Sequence, residues 1–161
     1  MDPKQLTLLV VRPTLKKLGL YSLAAERLIV GTIYQESHAK YLKQLGNGPA
    51  LGVIQMEPAT YGDIWDNYLA YKRTLANKVT EFASVQSLDD DMRPRVNELI
   101  ANLAFAVSMC RVHYLRQKPA LPHADDIDGL AKYWKDYYNT HLGAGTVEEF
   151  MENFPSEILD C

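Results

Sequence analysis

The hydrophobic positions of this chain recur at helical spacing in most of its segments. Ser22 is an effective N-cap residue, and a wide apolar face follows it over residues 23–33. Gly31 lies within that face at a cost of about 1 kcal/mol relative to alanine, which indicates close packing against a neighbour. Residues 95–115 are apolar nearly all round, as is typical of a helix at the centre of a domain. The pattern predicts an all-α domain around that central helix.

Turn-forming residues and prolines predict where the shorter helices and the extended segment begin and end. A helical turn over residues 14–19 ends at its glycine, and Pro58 suits the first position of a helix. Residues 71–83 form a polar helix in this interpretation. A dense turn signal at residues 45–49 precedes a short extended run at 50–56. Strand structure is therefore limited to a small hairpin at most, and no parallel sheet is expected.

Capping residues mark the start of three further helices. The acidic run at residues 89–91 predicts a solvated helix start that is favoured by the helix dipole. Asp125 or Asp126 caps the next helix. Thr146, followed three residues later by Glu149, forms a capping box for a final short helix.

Length and charge limit the class of protein. The chain has 161 residues, of which 47% are hydrophobic and 23% are charged, and this predicts a single domain over residues 1–161. Its 17 basic and 20 acidic residues give a formal charge of −3, which argues against a nucleic-acid-binding protein such as a helix-turn-helix module. A neutral, sugar-rich or peptide substrate is compatible with this balance.

The residues that bind metals or form disulfides are few and scattered. Cys110 lies in an apolar stretch and is interpreted as a small buried hydrophobic residue, while Cys161 is the last residue. The four histidines include no pair at i, i+4 spacing. The chain also lacks the Gly-x-Ser-x-Gly motif of hydrolases and a phosphate-binding loop. The sequence therefore predicts no metal site and no cofactor.

Segments that direct a chain to a membrane are not visible in the sequence. The longest uncharged apolar-rich stretch runs over residues 99–110, well below the roughly 18 residues that a spanning helix needs. The apolar run at residues 8–11 is too short for a signal-peptide core. We expect a protein without a membrane span that is made in the cytoplasm and carries no cleavable signal.

Glu36 is the most unusual acidic residue, because it stands at the end of an apolar helix and just before a loop. A partly buried carboxylic acid keeps its proton to higher pH and can deliver it to a leaving oxygen. The alternative is a surface glutamate that pairs with Lys40, four residues later. The residue pattern alone favours the surface glutamate, since most helical glutamates are solvated.

The order of short motifs from Glu36 onward favours the buried catalytic glutamate instead. Glu36-Ser37 is followed by Gly52-Val53-Ile54-Gln55 and then by Pro58-Ala59-Thr60. This order and spacing resembles the lytic transglycosylase and goose-type lysozyme families, whose pattern is Glu-Ser, then Gly-Leu-Met-Gln, then often Pro-Ala-Thr. The resemblance covers residues 33–60. It implies a lysozyme-like helical domain that cleaves the β-1,4 glycan of peptidoglycan.

The resemblance also implies roles for the residues in the motifs. Glu36 is the expected general acid and base, and Ser37 is expected to orient it through a hydrogen bond. Gly52, which has no Cβ, is expected to let the backbone approach the glycan closely. Ile54 and Gln55 complete the predicted substrate-binding set, with the Gln55 amide directed to sugar or stem-peptide groups.

The family pattern further includes a Tyr-Asn pair whose tyrosine faces the catalytic glutamate. Tyr138-Asn139 is the best match, and the helix at 95–115 would be the central helix of the fold. Tyr137 and Tyr133 are alternatives for the tyrosine, and aromatic packing inside a helix is an equally good interpretation of each.

The number of catalytic carboxylates separates two mechanisms. In the transglycosylase mechanism one glutamate serves as acid and then as base, and the 6-hydroxyl of the sugar closes an anhydro ring. In hydrolysis a second carboxylate holds the attacking water. Glu57, Asp63 and Asp66 are the candidates, but none lies at a persuasive spacing, so we favour the single-acid mechanism.

The setting of the protein is suggested by a weaker similarity. Residues 133–140 and 143–146 are similar to proteins of tailed phages. With no signal peptide, this favours a phage protein made in the host cytoplasm and then carried in the virion or released to the wall at lysis. Its expected partners are peptidoglycan strands and other virion proteins. The alternative is a non-catalytic virion protein that keeps the lysozyme-like fold for docking.

Overall fold

Helices make up this structure, a computed structural model that describes every residue from Met1 to Cys161. Helix accounts for 61% of the residues and no sheet forms, so the predicted all-α class is confirmed. The α-helices in chain order are α1 (Pro3–Leu6), α2 (Arg12–Leu18), α3 (Leu23–Ser37), α4 (Pro58–Asn67), α5 (Arg73–Glu81), α6 (Glu98–Ala101), α7 (Leu103–Leu115), α8 (Ile127–Trp134) and α9 (Val147–Asn153).

Short irregular helices and isolated bridges connect these elements. The π-helical stretches are Thr7–Val11 and Lys135–Asn139, and the 3-10 helices are Leu69–Tyr71, Val85–Ser87 and Ser156–Asp160. The predicted hairpin is reduced to a tight turn in which Leu51 and Met56 exchange backbone hydrogen bonds of 3.0 and 3.1 Å.

Helix α7 is the centre of the fold, as the apolar pattern predicts. Its residues from Phe105 to Tyr114 are all buried, and α2, α3, α4, α5 and α6 pack around it. Cys110 is fully buried in this helix, which confirms its interpretation as a small hydrophobic residue. No helix of the structure combines the length and the apolar character that crossing a membrane requires.

The predicted helix over residues 95–115 is wrong in its first part. The chain breaks at Asn102, whose backbone is extended at φ −121° and ψ 99°. The Asn102 side chain accepts a hydrogen bond from the Phe105 N–H at 2.9 Å and donates to the Phe82 carbonyl at 2.7 Å. Asn102 therefore caps α7 and leaves α6 as a separate turn, because its side chain competes with helical hydrogen bonding.

The helix start predicted at residues 89–91 is also wrong. The Asp89 carboxylate accepts hydrogen bonds from the backbone N–H groups of Asp91 and Arg93, at 2.9 and 3.0 Å. These bonds close a turn in which Met92 has a left-handed φ of 64°. The next helix begins at Glu98.

The other predicted N-caps are confirmed, although the Glu149 side chain makes no return bond to the Thr146 N–H, so only half of the predicted capping box forms. Ser22 Oγ accepts from the Ala25 N–H at 3.0 Å, and Thr146 Oγ1 accepts from the Glu149 N–H at 3.1 Å. Asp126, rather than Asp125, caps α8.

Gly31 allows α3 and α9 to approach closely. A Cβ atom at Gly31 would lie 2.4 Å from Cζ of Phe150 and 3.1 Å from Cδ2 of Phe154. Phe150 is fully buried, so its ring has no free space into which it could retreat. The predicted close packing of this glycine is thus present.

We predict that Gly31→Ala and Gly62→Ala change stability in opposite directions. Gly31→Ala should lower the free energy of unfolding by about 1–3 kcal/mol through overpacking. Gly62 lies in α4, and a Cβ atom there would have no neighbour within 4 Å. Gly62→Ala should therefore raise the free energy of unfolding by roughly 0.5–1 kcal/mol through helix propensity. Urea denaturation measures both changes. Equal shifts of the same sign would contradict the packing of α3 on α9.

Candidate active site

A groove of about 600 Å³ opens where three parts of the chain meet. Its lining comes from Glu36 at the end of α3, from the segment between residues 44 and 60, and from residues 138–144. His113 of α7 completes it. No lysine or arginine lines the groove, whose ionisable residues are Glu36, Glu57, His113 and Tyr138.

Glu36 lies in the last turn of α3 and is half-buried. The helix ends immediately after it, because His38 and Ala39 take left-handed φ values of 54° and 52°. Lys40 is therefore beyond the helix end, and it forms no ion pair with Glu36. The alternative of a surface glutamate paired with Lys40 does not describe the structure.

The one hydrogen bond to the Glu36 side chain comes from a tryptophan. Trp134 Nε1 of α8 donates to Glu36 Oε1 at 3.0 Å. Burial raises the pKa of Glu36 from 4.5 to about 7, although the indole N–H opposes this by stabilising the carboxylate. Near neutral pH this carboxyl is therefore divided between its two protonation states, as a group that gives and retakes a proton requires.

Ser37 has a different role from the one predicted. Its one hydroxyl proton is directed at the Val53 carbonyl at 2.6 Å and shared with the Ile33 carbonyl at 3.1 Å, and the residue is 2% exposed. The expected hydrogen bond to Glu36 is absent. Instead, Ser37 fastens the turn at residues 52–55 to the end of α3.

Gly52 and Ile54 also lie behind the groove rather than in its lining. Gly52 has a φ of 75°, and a Cβ there would lie 2.3 Å from the Leu99 carbonyl oxygen. The missing side chain thus makes room for the backbone of α6 and not for a glycan, which corrects the prediction. Ile54 is fully buried, and its carbonyl accepts a hydrogen bond from the Tyr138 hydroxyl at 2.6 Å.

Gln55 lines the groove, and its predicted role in substrate binding stays a prediction. Its amide Nε2 donates to the Gly52 carbonyl at 2.9 Å, which holds the side chain along the turn. The backbone carbonyls of residues 52, 53 and 54 are consequently each bound by a side chain, from Gln55, Ser37 and Tyr138 respectively. The motif residues therefore converge, but mainly to hold the turn beside Glu36.

Tyr138 is the one of the three candidate tyrosines that lines the groove. The Tyr133 hydroxyl donates to the Pro119 carbonyl at 2.8 Å, and the Tyr137 ring packs 4.7 Å from that of Tyr133. Tyr138 reaches the groove from the π-helical stretch Lys135–Asn139, a local irregularity that is frequent at functional sites. The Tyr138 hydroxyl donates to the Ile54 carbonyl and not to Glu36. Tyr138 therefore holds the turn at residues 52–54 and does not contact the glutamate through its hydroxyl.

The three candidates for a second catalytic carboxylate differ in whether they line the groove. Asp63 is bound to Arg116 at 2.6 Å, which lowers the pKa of that carboxyl, and Asp66 is bound to Arg93 at 2.8 Å. Neither lines the groove. Glu57 is exposed and lines it, so it is the one candidate that the structure leaves.

Sequence reasoning missed Trp134 as a partner of Glu36. Its position on the apolar face of α8 indicates a core residue, and it is indeed fully buried. The signal that could have found it is chemical, because a buried indole N–H usually finds an acceptor. A half-buried carboxylate elsewhere in the chain is such an acceptor, but the pairing spans 98 residues.

His113 is buried, yet it also lines the groove. Burial lowers its pKa to about 4, so the ring is neutral at neutral pH. Arg116 can only donate, so the 3.2 Å contact from its guanidinium makes Nδ1 the acceptor and leaves the ring proton on Nε2. The Tyr138 ring stands edge-on to His113 at 5.0 Å.

One lysine holds the loop that forms the far wall of the groove. Lys135 Nζ donates to the carbonyls of Gly143 at 3.1 Å and Gly145 at 2.6 Å, and to Asn139 Oδ1 at 2.6 Å. This arrangement leaves Leu142 at the rim almost fully exposed.

The structure contains no candidate metal site, and the comparisons with known proteins found no match. No group of three His, Cys, Asp or Glu side chains in the structure could hold a metal ion, and both cysteines are free. Comparisons of the chain with protein-family models, with curated proteins and with solved structures found no match. The function is therefore inferred from the site itself.

The two tryptophans offer an internal comparison for the protonation of Glu36. We predict that the Trp134 indole N–H signal in NMR moves with pH at a midpoint of about 7, as its acceptor ionises. The Trp65 indole has no hydrogen-bond partner and should not move. Glu36→Gln should abolish the Trp134 titration. A midpoint near 4.5 for Trp134, or equal movement of both signals, would contradict the site geometry.

Stability should also depend on pH through Glu36. Its pKa is higher in the folded chain, about 7, than its ordinary value of 4.5, so the folded state binds more protons between these values. Stability from this group is therefore present below pH 4.5 and is lost as pH rises through 7, by about 3 kcal/mol. Urea denaturation of wild type and Glu36→Gln across this range measures the difference. Parallel profiles would show that burial does not raise the pKa.

Proposed function

We propose that this protein cleaves the β-1,4 glycan of peptidoglycan, with Glu36 as general acid and then general base. The observation that carries the proposal is a half-buried carboxyl with a pKa of about 7 at the edge of an open groove. Glycoside cleavage passes through an oxocarbenium-like state, and the leaving oxygen needs a proton at that moment. Glu36 is the acid in the groove whose pKa suits this step.

The chemistry of the groove lining favours a neutral glycan as substrate. The lining carries no lysine or arginine, so it offers no cation to a phosphate group. It does carry the side-chain amides of Gln44, Gln55 and Asn139. Amides both donate and accept hydrogen bonds, which matches the hydroxyl and N-acetyl groups of wall sugars.

The mechanism we propose uses Glu36 as its single acid. Glu36 gives its proton to the leaving oxygen as the bond from that oxygen to the anomeric carbon breaks. The carboxylate then takes the proton of the sugar's 6-hydroxyl, whose oxygen bonds to the anomeric carbon and closes an anhydro ring. Neither step needs water or a second carboxylate. In the hydrolytic alternative, Glu57 would hold the attacking water.

The fold we propose is lysozyme-like, over residues 1–161. Three features support it: a buried central helix α7, a glutamate at the end of α3, and a tight turn at residues 52–55 beside that glutamate. The similarity of residues 133–140 and 143–146 to tailed-phage proteins makes a phage-borne wall enzyme our proposal for its setting.

Two glutamate variants test the mechanism. Glu36→Gln keeps the shape of the side chain but cannot transfer a proton, so we predict at least a 100-fold loss of wall digestion, at the low end of roughly 10²–10⁴ for general acid catalysis. Glu57→Gln, the matched control, should keep its activity within a few-fold. Zymography on purified walls measures both. Mass spectrometry of the products should show anhydro ends, one water lighter than reducing ends.

Two other outcomes would change the proposed mechanism or contradict the proposed function. Loss of activity in both variants, with reducing-end products, would replace the single-acid mechanism with hydrolysis through Glu57. Wild type that digests no wall would contradict the proposal and favour a non-catalytic virion protein with this fold.

A further inference from the structure

A second cleft, of about 500 Å³, lies away from the groove of Glu36. Its walls combine leucine side chains of α2, α5 and α7 with the cations Lys72, Arg73 and Lys78. No acidic residue lines it. A chain with a formal charge of −3 thus concentrates positive charge at one place.

Two segments without acidic residues bring this charge together. Residues 3–25 and 67–80 contain no Asp or Glu. They meet where α2 packs on α5, and Lys78 Nζ lies 3.6 Å from the position of a Cβ at Gly19. Lys16 and Lys17, in the last turn of α2, extend the positive surface next to the cleft.

No carboxylate pairs with the five cations of this surface, although Lys16, Lys17 and Lys72 lie over aromatic rings. Lys16, Lys17, Lys72, Arg73 and Lys78 are all exposed. None of them takes part in an ion pair, whereas Arg12, Arg27, Arg93 and Arg116 all do. Because no carboxylate in the structure neutralises them, an anionic partner meets their full charge.

Apolar groups lie directly beside the cations. Leu20, Leu75 and Leu115 are half-buried in the cleft, and Tyr71 at its edge is 79% exposed. An exposed tyrosine next to lysine and arginine is typical of surfaces at a membrane–water interface. The ligand that fits both parts is an amphiphile with an anionic head and an apolar tail.

We propose that this cleft and its basic surroundings bind the surface of a membrane that contains anionic phospholipids. The lysines and Arg73 would lie at the level of the lipid phosphates, with Tyr71 at the headgroup boundary. Electrostatic attraction and a small buried apolar area together give reversible peripheral binding. No helix crosses the bilayer in this arrangement.

The position of the cleft explains why a membrane suits it better than an anionic wall polymer. His113 lines the catalytic groove, and Leu115, two residues later on α7, lines the cleft. Two residues of an α-helix are roughly 200° apart around its axis, so the two sites face opposite sides of α7. A protein bound to the membrane through the cleft would present its groove to the wall. This orientation rests on the proposed function, whereas the lipid binding does not.

Vesicle sedimentation tests the binding. Vesicles of phosphatidylglycerol and phosphatidylcholine in equal parts should bind wild type, and pure phosphatidylcholine should not. The triple variant Lys72→Gln, Arg73→Gln and Lys78→Gln should bind more than about tenfold more weakly. A control with the same net charge, Lys40→Gln, Lys43→Gln and Lys132→Gln, removes exposed lysines outside the cleft and should bind like wild type. Salt at about 0.5 M should release the wild-type protein.

Three results would overturn the proposal. They are no binding to anionic vesicles at low salt, equal losses in both triple variants, and binding to a soluble polyglycerol phosphate without binding to vesicles. Glu36→Gln should bind vesicles like wild type. Failure of vesicle binding is thereby distinguished from failure of the proposed wall cleavage, which the same variant tests separately.

Discussion

The enclosure of one carboxyl group is the constraint on which the rest of this structure depends. Glu36 is half-buried at the end of a helix, with the Trp134 indole as its only hydrogen-bond donor. Full solvation would leave the carboxyl ionised at neutral pH, and a paired lysine would have the same effect. The structure provides neither, and a single N–H offsets only part of the effect of burial, so the pKa of Glu36 is about 7.

The surrounding elements keep that enclosure in shape through bonds to backbone carbonyls. Ser37, Gln55 and Tyr138 each hold one carbonyl of the turn at residues 52–54. These bonds join the end of α3 to the turn and to the π-helical stretch that carries Tyr138. Residues that the sequence motifs assign to substrate thus stabilise the wall of the groove. The groove lining also carries the amides of Gln44 and Asn139 and contains no lysine or arginine, which suits an uncharged glycan.

Most of the helix caps, which depend on neighbouring residues, were predictable from the sequence, whereas contacts between distant residues were not. The caps at Ser22 and Thr146 follow from side chains that bond N–H groups three residues later. Asn102 breaks a continuous apolar pattern by capping the Phe105 N–H, and its amide also donates to the Phe82 carbonyl, twenty residues away. Glu36 lines the groove, but its partner Trp134 lies 98 residues further along the chain, and periodicity carries no information about such a pair.

Direct titration of the Glu36 carboxyl carbon by ¹³C NMR, assigned with the Glu36→Gln variant, tests the central claim most directly. We predict that this carbon titrates with a midpoint of about 7 in the folded protein, because burial outweighs the indole hydrogen bond. A midpoint near 4.5, the ordinary value for a glutamate, would show a solvated carboxylate and would contradict a role for Glu36 as the proton donor.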